Sequence, residues 1–307
     1  MEVRNLIKPM AKKPKSQAPR YSAAQLNILR DQFTIQTWLS LGALLQTALI
    51  LLLPFHYAIL PPILLLTLHL TDTLLVSFNL KRNPFLHEVL PTKFCAQIPS
   101  PDGSYGATPS SSSIVVFLLG AKFNHPAGVL APNIQKLGNY AQEMYADVEA
   151  KSEQYGLLGQ SFLINNDRST KNELVQLMYF RDVEGLHRFA HDRLHREAWD
   201  WYNRTAREHN NHFSIWHETY VVPAGNWETI YAHSAPTGLA ATFVKKEGGG
   251  EGEGDGKEAG DGEEREEWLS PIVDARRGAM KTALGRMARS EGKEHEGYQD
   301  AAYQDIA

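Results

Sequence analysis

Two apolar runs, one directly after the other, constrain this chain more than any other feature. Phe33 to Leu53 reads FTIQTWLSLGALLQTALILLL and carries no charged side chain. Pro61 to Leu80 reads PPILLLTLHLTDTLLVSFNL, with the single acid Asp72, and Lys81 and Arg82 close it. A helix needs roughly 20 apolar residues to cross the hydrocarbon core of a bilayer, and each run meets that length. The pattern predicts a two-helix transmembrane hairpin over 31–82. The alternative for such runs is a helix pair buried in a soluble core. The first run starts too far from Met1 for a signal peptide, and the second follows at once. Basic residues precede the first run (Arg4, Lys8, Lys12, Lys13, Lys15, Arg20, Arg30) and follow the second. Positive flanks stay on the cytoplasmic side. Both ends of the hairpin are therefore expected in the cytosol, with the endoplasmic reticulum as the expected membrane. Asp72 must face protein or lie near an interface; a re-entrant second segment would also accommodate it.

Charge is segregated along the remaining chain. The net charge of −4 over 307 residues argues against a nucleic-acid partner, because such domains are usually basic. Residues 1–30 form a basic N-terminus. Residues 83–113, rich in Pro, Ser and Gly, read as a flexible linker. Residues 246–268, Gly/Glu-rich and acidic, cannot bury a core and read as a disordered insertion. Residues 269–307 read as a basic tail, helical in part from Asp274 to about Arg289. Cys95 is the one cysteine, so no intrachain disulfide exists.

The compact unit is expected over 114–245. SIVVFLLGAKF is a buried strand, apolar for most of its length. APNIQKLGNYAQEMYADVEAKSEQYG carries Ile134, Leu137, Ala141, Met144, Tyr145 and Val148 at helical spacing, with Pro132 acceptable in its first turn and Gly156 at its end. LLGQSFLINN and NELVQLMYF are strands around the turn NDRST. DVEGLHRFAHDRLHREAWDWYNRTAR is a second helix, with Asp182 as N-cap. HFSIWHETYVV is the last strand. The class is α+β, a ferredoxin-like βαββαβ domain. Both helices fall on one face of the sheet. A second subunit can cover the other face and enclose a small-molecule pocket, so a homodimer is expected.

The run SIWHETYVVPAGNWETIY with the following PTGLA, and the upstream YFRDVEGLHRFAHDRLHREAWDWYNR, are similar to the signatures of a monooxygenase family. Its members, fungal and bacterial, have a dimeric α/β-barrel (ABM-like) fold, and its fungal branch carries an N-terminal membrane hairpin. The resemblance covers roughly Ile114 to Phe243. It implies a monooxygenase of secondary metabolism acting on a lipophilic terpenoid or polyketide. It also implies that His195 corresponds to the histidine of the family's H..AW pattern. Superfamily relatives include cofactor-free oxygenases and haem-dependent dehydratases. The acidic insertion departs from the family pattern.

Candidate residues follow from chemistry and strand parity. A strand places alternate residues on opposite faces. Ile215, His217, Thr219 and Val221 therefore share one face and Trp216, Glu218, Tyr220 and Val222 the other, so His217 and Glu218 cannot both enter one cavity from a regular strand. His217 suits proton transfer near neutral pH, or serves as a hydrogen-bonded sheet residue. Glu218 is expected to pair with Arg188 or Arg204, since a buried carboxylate without a partner is costly. His187, His191 and His195 recur every four residues, a spacing that can share a metal ion. Their charged neighbours describe a solvated helix flank instead, and no metal is expected. Glu228 and Tyr231 could orient a base or a substrate; Tyr231 could equally be a core aromatic. The catalytic set is thus His217, His195, Glu218, Tyr220, Glu228 and Tyr231, and the substrate-binding set Trp216, Trp199, Phe213 and Tyr202. No G-x-G-x-x-G, P-loop or G-x-S-x-G motif occurs in the required context. The expectation is a membrane-bound oxygenase using O2 and no cofactor. Two alternatives stand beside it: a haem-dependent lyase, and a non-catalytic module that binds a lipophilic intermediate.

Overall fold

The structure, a computed structural model, describes residues 3–14, 21–165, 173–208, 211–247 and 266–291, without side chains for 21–25. In chain order the helices before the domain are α1 (Tyr21–Gln32), α2 (Ile35–Leu52), α3 (Phe55–Ala58) and α4 (Leu60–Ser77). Then come β1 (Leu90–Ala96), β2 (Ile114–Phe123), α5 (Ile134–Ala150), α6 (Ser152–Tyr155), β3 (Leu157–Asn165) and β4 (Glu173–Phe180). They are followed by α7 (Val183–Ala190), α8 (Arg193–Arg204), β5 (Phe213–Val222), β6 (Tyr231–Ser234) and β7 (Val244–Lys245). β8 (Trp268–Leu269), β9 (Ile272–Asp274) and α9 (Ala283–Arg286) end the described chain.

The main sheet has the order β3-β4-β2-β5, and every neighbouring pair is antiparallel. That is the ferredoxin-like order, with the first strand between the third and the fourth. Val115, Phe117, Met178 and Phe180 point to the helices and pack with Val148 of α5 and with Leu186 and Phe189 of α7. At the other end of the same face, Phe123 and Phe213 pack with Ile134 of α5 and Trp201 of α8. On β5 the register bears out the parity read from the sequence, whereas β3 is buried at each of its first five positions. The second helix differs from expectation. It breaks at His191, because the Asp192 side chain accepts the Leu194 N–H at 3.1 Å and starts a new helix. Asp182 caps α7 through the Gly185 N–H, at 2.6 Å. Pro132 lies outside α5, whose cap is Asn133. The NDRST turn lies outside the described residues apart from its flanks.

The expected linker is not a tether. Within 83–113, β1 is buried at its last five positions and forms the centre of a second sheet, β6-β1-β9. The expected basic tail is not a tail over its described residues, 269–291: it supplies β9, and its α-helix there is the four residues of α9, while residues 292–307 lie outside the described ones. This sheet lies on the outer face of the main one. Ala96, Trp227 and Leu239 pack there on Ile114, Val116, Tyr179 and Val222. Part of the face that a second subunit was expected to cover is therefore covered by the chain itself. β7 pairs with β8, so the acidic stretch, whose residues 248–265 lie outside the described ones, is bracketed by a two-stranded ladder.

α2 and α4 are apolar, at mean hydropathies of 1.6 and 1.8 over their spans, and none of their residues is buried. They are not the core pair of a soluble domain. Lys81 reaches back to ion-pair with Asp72, which places that acid beside the end of α4. The chain on both sides of the helical pair is bound to one domain. Before it, Leu6 N–H donates to the Ile272 carbonyl at 3.1 Å and Met10 exchanges backbone bonds with Trp268, while Lys13 pairs with Glu149 at 2.9 Å. After it, β1 enters the second sheet.

Candidate active site

The helix-facing side of β5 carries Phe213, Ile215, His217, Thr219 and Val221, by the register that pairs Phe123 with Phe213 and Leu119 with His217. The row across the sheet at that level is Gln176, Leu119, His217. The His217 ring lies 5.6 Å from that of Phe117, at the open edge of the sheet where β5 has no further neighbour. Over this edge lies α8. His195, Trp199 and Tyr202 are spaced i, i+4, i+7 on it and so share a face. Tyr202 contacts Phe213 at 5.8 Å and stacks on Trp199 at 5.6 Å. His195 meets Phe189 at 5.5 Å. Of the residues singled out in the sequence, His195, Tyr202, Phe213 and His217 lie on the α8–β5 side of the sheet, with Phe213 fully buried in the core and His217 exposed, while Trp199 is 51% exposed and touches this group through Tyr202.

His195 is the electrostatically unusual member. It is half-buried, and burial pulls its pKa below the ordinary histidine value. A hydrogen bond with the Ala190 carbonyl opposes that shift, and the nearby His217 and His191 add to it. The lowered value keeps the ring neutral at physiological pH. A neutral imidazole has one donor and one acceptor nitrogen, so the ring can take up a proton. A neutral, oriented imidazole among aromatic rings is what a general base requires.

With this geometry in place, similarity to known proteins becomes specific. A family model described as monooxygenase af470-like matches residues 114–239, the whole main sheet with its helices. Over 263 residues the chain is 34% identical to monooxygenase af470 of Aspergillus fumigatus, covering 86% of this chain and 90% of that protein. The chain belongs to the af470-like monooxygenase family. The match to this relative extends well beyond the residues that the family model covers. Among solved structures, an aldoxime dehydratase in complex with butyraldoxime matches at a TM-score of 0.36 and 14% identity, over 42% of this chain and 36% of that one. SnoaB, a cofactor-independent oxygenase from Streptomyces nogalater, matches at a TM-score of 0.25 and 14% identity, over 36% of this chain and 92% of its own.

The structure separates the remaining sequence candidates from the His195–His217 group. Trp216 lies on the outer face of the sheet, where its indole N–H donates to Glu173 at 2.8 Å. It does not line the same space as Trp199 or Phe213, because odd and even positions of a regular strand diverge. Its ring occupies the place a side chain at Gly120 would take. Gly120→Ala is expected to displace the ring and cost about 1–3 kcal/mol, read as a lowered unfolding midpoint. Glu218 and Tyr220 are also on the outer face, exposed, and the Tyr220 hydroxyl donates to Glu218. Neither Arg188 nor Arg204 pairs with that carboxylate; Arg188 donates to the Gln154 carbonyl at 2.8 Å. Glu228 pairs with the buried Arg286 at 2.7 Å. Tyr231 stacks on Phe94 at 5.0 Å in the second sheet, and burial raises its pKa. These two hold the second sheet together.

Sequence reasoning missed a buried polar chain beneath the helices. Gln176 donates to Gln160 at 2.8 Å, and Gln160 donates to the Glu149 carboxylate at 3.0 Å and to the Tyr145 carbonyl at 3.1 Å. The signal was present: Gln176 shares strand parity with Met178 and Phe180, so it is a polar residue at a core position. The Tyr145 hydroxyl, from α5 above the same face, is pushed to higher pKa by burial. A cleft of about 610 Å³ lies elsewhere, lined by residues such as Arg181, Arg188, Phe243, Lys245 and Trp268, and neither His195 nor His217 lines it. Among the described residues, no three His, Cys, Asp or Glu side chains are grouped as metal ligands.

Proposed function

We propose that this monooxygenase is anchored in a membrane, such as the endoplasmic reticulum of a fungus, and oxygenates a lipophilic terpenoid or polyketide intermediate of secondary metabolism with O2 alone. The observation that carries the reading is the half-buried, neutral His195 set against His217 and a ring-lined edge. In the proposed reaction, His195 removes a proton from an acidic methylene of the substrate. The carbanion gives its electrons to O2 and a C–O bond forms, yielding a hydroperoxide. Loss of the second C–H proton then breaks the O–O bond, so the carbon becomes a carbonyl and the other oxygen leaves as water. The methylene supplies both electrons for that water, and no external reductant enters. Trp199 and Tyr202 hold the apolar substrate over the buried Phe213, and His217 lies on the open side where protons exchange with solvent.

Anchoring is supported by the two unburied apolar helices; the docking of residues 3–14 and of β1 on one domain agrees with the two crossings, because it requires an even number of them. The orientation with both ends in the cytosol agrees with the basic flanks. A second copy would pack on the uncovered part of the outer face, around Trp216 and Tyr220. The test is turnover by the full chain in lipid nanodiscs, with no flavin, metal or haem added. Oxygen-dependent conversion under these conditions is expected. A Soret band in the purified protein, or turnover only after a cofactor is supplied, would contradict the cofactor-free reading; binding of an intermediate without conversion would favour a carrier.

A further inference from the structure

The loop between β2 and α5 holds an exposed leucine that the domain's own packing does not account for. Leu130 is 64% exposed, at the tip of a single turn, Gly128–Leu130. Its neighbour Val129 packs inward against the cluster of Phe123, Trp201 and Phe213. The turn is tied to α1. The Gln32 side-chain oxygen accepts the Val129 N–H at 3.2 Å, and the Gln32 amide fills the place where residue 128 would carry a Cβ. Gly128 also has φ +51, so glycine meets both demands of this contact.

Gln32 is the last residue of α1, and α2 starts three residues later at Ile35. Three residues span at most about 10 Å. The Gln32 backbone therefore lies within that distance of the start of the first apolar helix, and its side chain reaches from there to the Gly128–Leu130 turn. The junction carries aromatic residues of the kind enriched where membrane meets water: Phe33 and Trp38 meet edge to face at 5.7 Å, and the Trp38 indole N–H donates to the Arg30 carbonyl at 2.8 Å. On the return side, between α4 and β1, Phe85 and Leu86 are exposed at 86% and 62%.

We infer that the Gly128–Leu130 turn is a membrane-contact surface, with Leu130 inserted at the lipid interface. The partner is the bilayer in which α2 and α4 are embedded, so the inference rests on the proposed anchoring. It places the Trp201–Phe213–Tyr202 rings directly beneath a lipid contact, one layer from where a lipophilic substrate is dissolved.

Site-directed nitroxide labelling of the full chain in phosphatidylcholine nanodiscs tests this. Cys95 is fully buried, and burial pushes its thiol up to about 12, so labelling reports only on an introduced cysteine. Three variants suffice: Leu130→Cys, Leu51→Cys within α2, and Leu284→Cys on α9, each exposed in the structure. The expected result is that labels at 130 and 51 collide with dissolved O2 in strong preference to a water-soluble nickel chelate, several-fold above the ratio at 284. A label at 130 that matches 284 while 51 remains lipid-like overturns the contact and leaves the anchoring intact. A label at 51 that also matches 284 overturns both.

Discussion

His195→Ala lowers kcat/KM by roughly two to four orders of magnitude, the usual contribution of a positioned general base, and leaves the unfolding midpoint near wild type. The reasoning is electrostatic. His195 is half-buried beside Phe189, and burial, reinforced by His217 and His191, holds its pKa below the ordinary value. A base is active when deprotonated, so kcat/KM is low in acid and rises to a plateau as pH increases. Because the shift is downward, the midpoint of that rise falls below about 6.5, the unperturbed histidine value. His195→Gln, which keeps a polar group but takes up no proton, loses activity and loses the acid limb of the profile. His217→Ala, at an exposed edge, has the smaller effect and moves the midpoint upward by removing a neighbouring imidazole. A His195→Ala enzyme with wild-type turnover, or a profile without an acid limb, contradicts the assignment of the base.

Arg286→Ala destabilises the protein by about 3–5 kcal/mol, the range for breaking one partner out of a buried ion pair. Arg286 is buried; its Nε donates to Glu228 at 2.7 Å and its Nη1 to the Met280 carbonyl at 2.9 Å. The Ser110 hydroxyl contacts both the Arg286 and the Trp227 carbonyls at 2.8 Å. These bonds clamp the C-terminal segment to the strip that follows β5, and through it to the second sheet. The loss appears as a lowered thermal midpoint. Glu228→Gln keeps one hydrogen bond, loses less stability and retains the kcat of the wild type, because Glu228 faces Arg286 and not the His195 layer. Abolished turnover in Glu228→Gln at an unchanged midpoint would return that carboxylate to the catalytic set.

The strands of the main sheet were legible as short runs rich in apolar and β-branched residues bounded by turn residues, and on the last of them parity also separated the two faces. The two apolar helices were legible because their length and lack of charge have few structural uses. β1 was not. Its LPTKFCA is a short stretch within a Pro- and Ser-rich composition, and its partners Tyr231–Ser234 and Ile272–Asp274 lie more than a hundred residues away, so no local pattern announces it. The same distance hid the role of the C-terminal segment, whose basic composition reads as solvated while Asp274 and Arg286 are in fact buried. In the site, parity correctly predicted that His217 and Glu218 diverge. It did not prevent Trp216 from being grouped with Trp199, since both are large rings and only the register decides which face each takes. The His191–Asp192 break was hidden by the continuous polarity of the helix flank; an aspartate followed by a fresh amphipathic run was the one available signal.

The most direct measurement is isotopic. A lipophilic extract of a strain lacking this protein is incubated with the full chain in nanodiscs under ¹⁸O₂, and the conversion of each component is followed by mass spectrometry. The expected result is one intermediate that disappears and a product that carries a single labelled oxygen, with the second label recovered in water and no reductant consumed. A product labelled only from solvent, or no conversion of any component by an intact and folded enzyme, would contradict it.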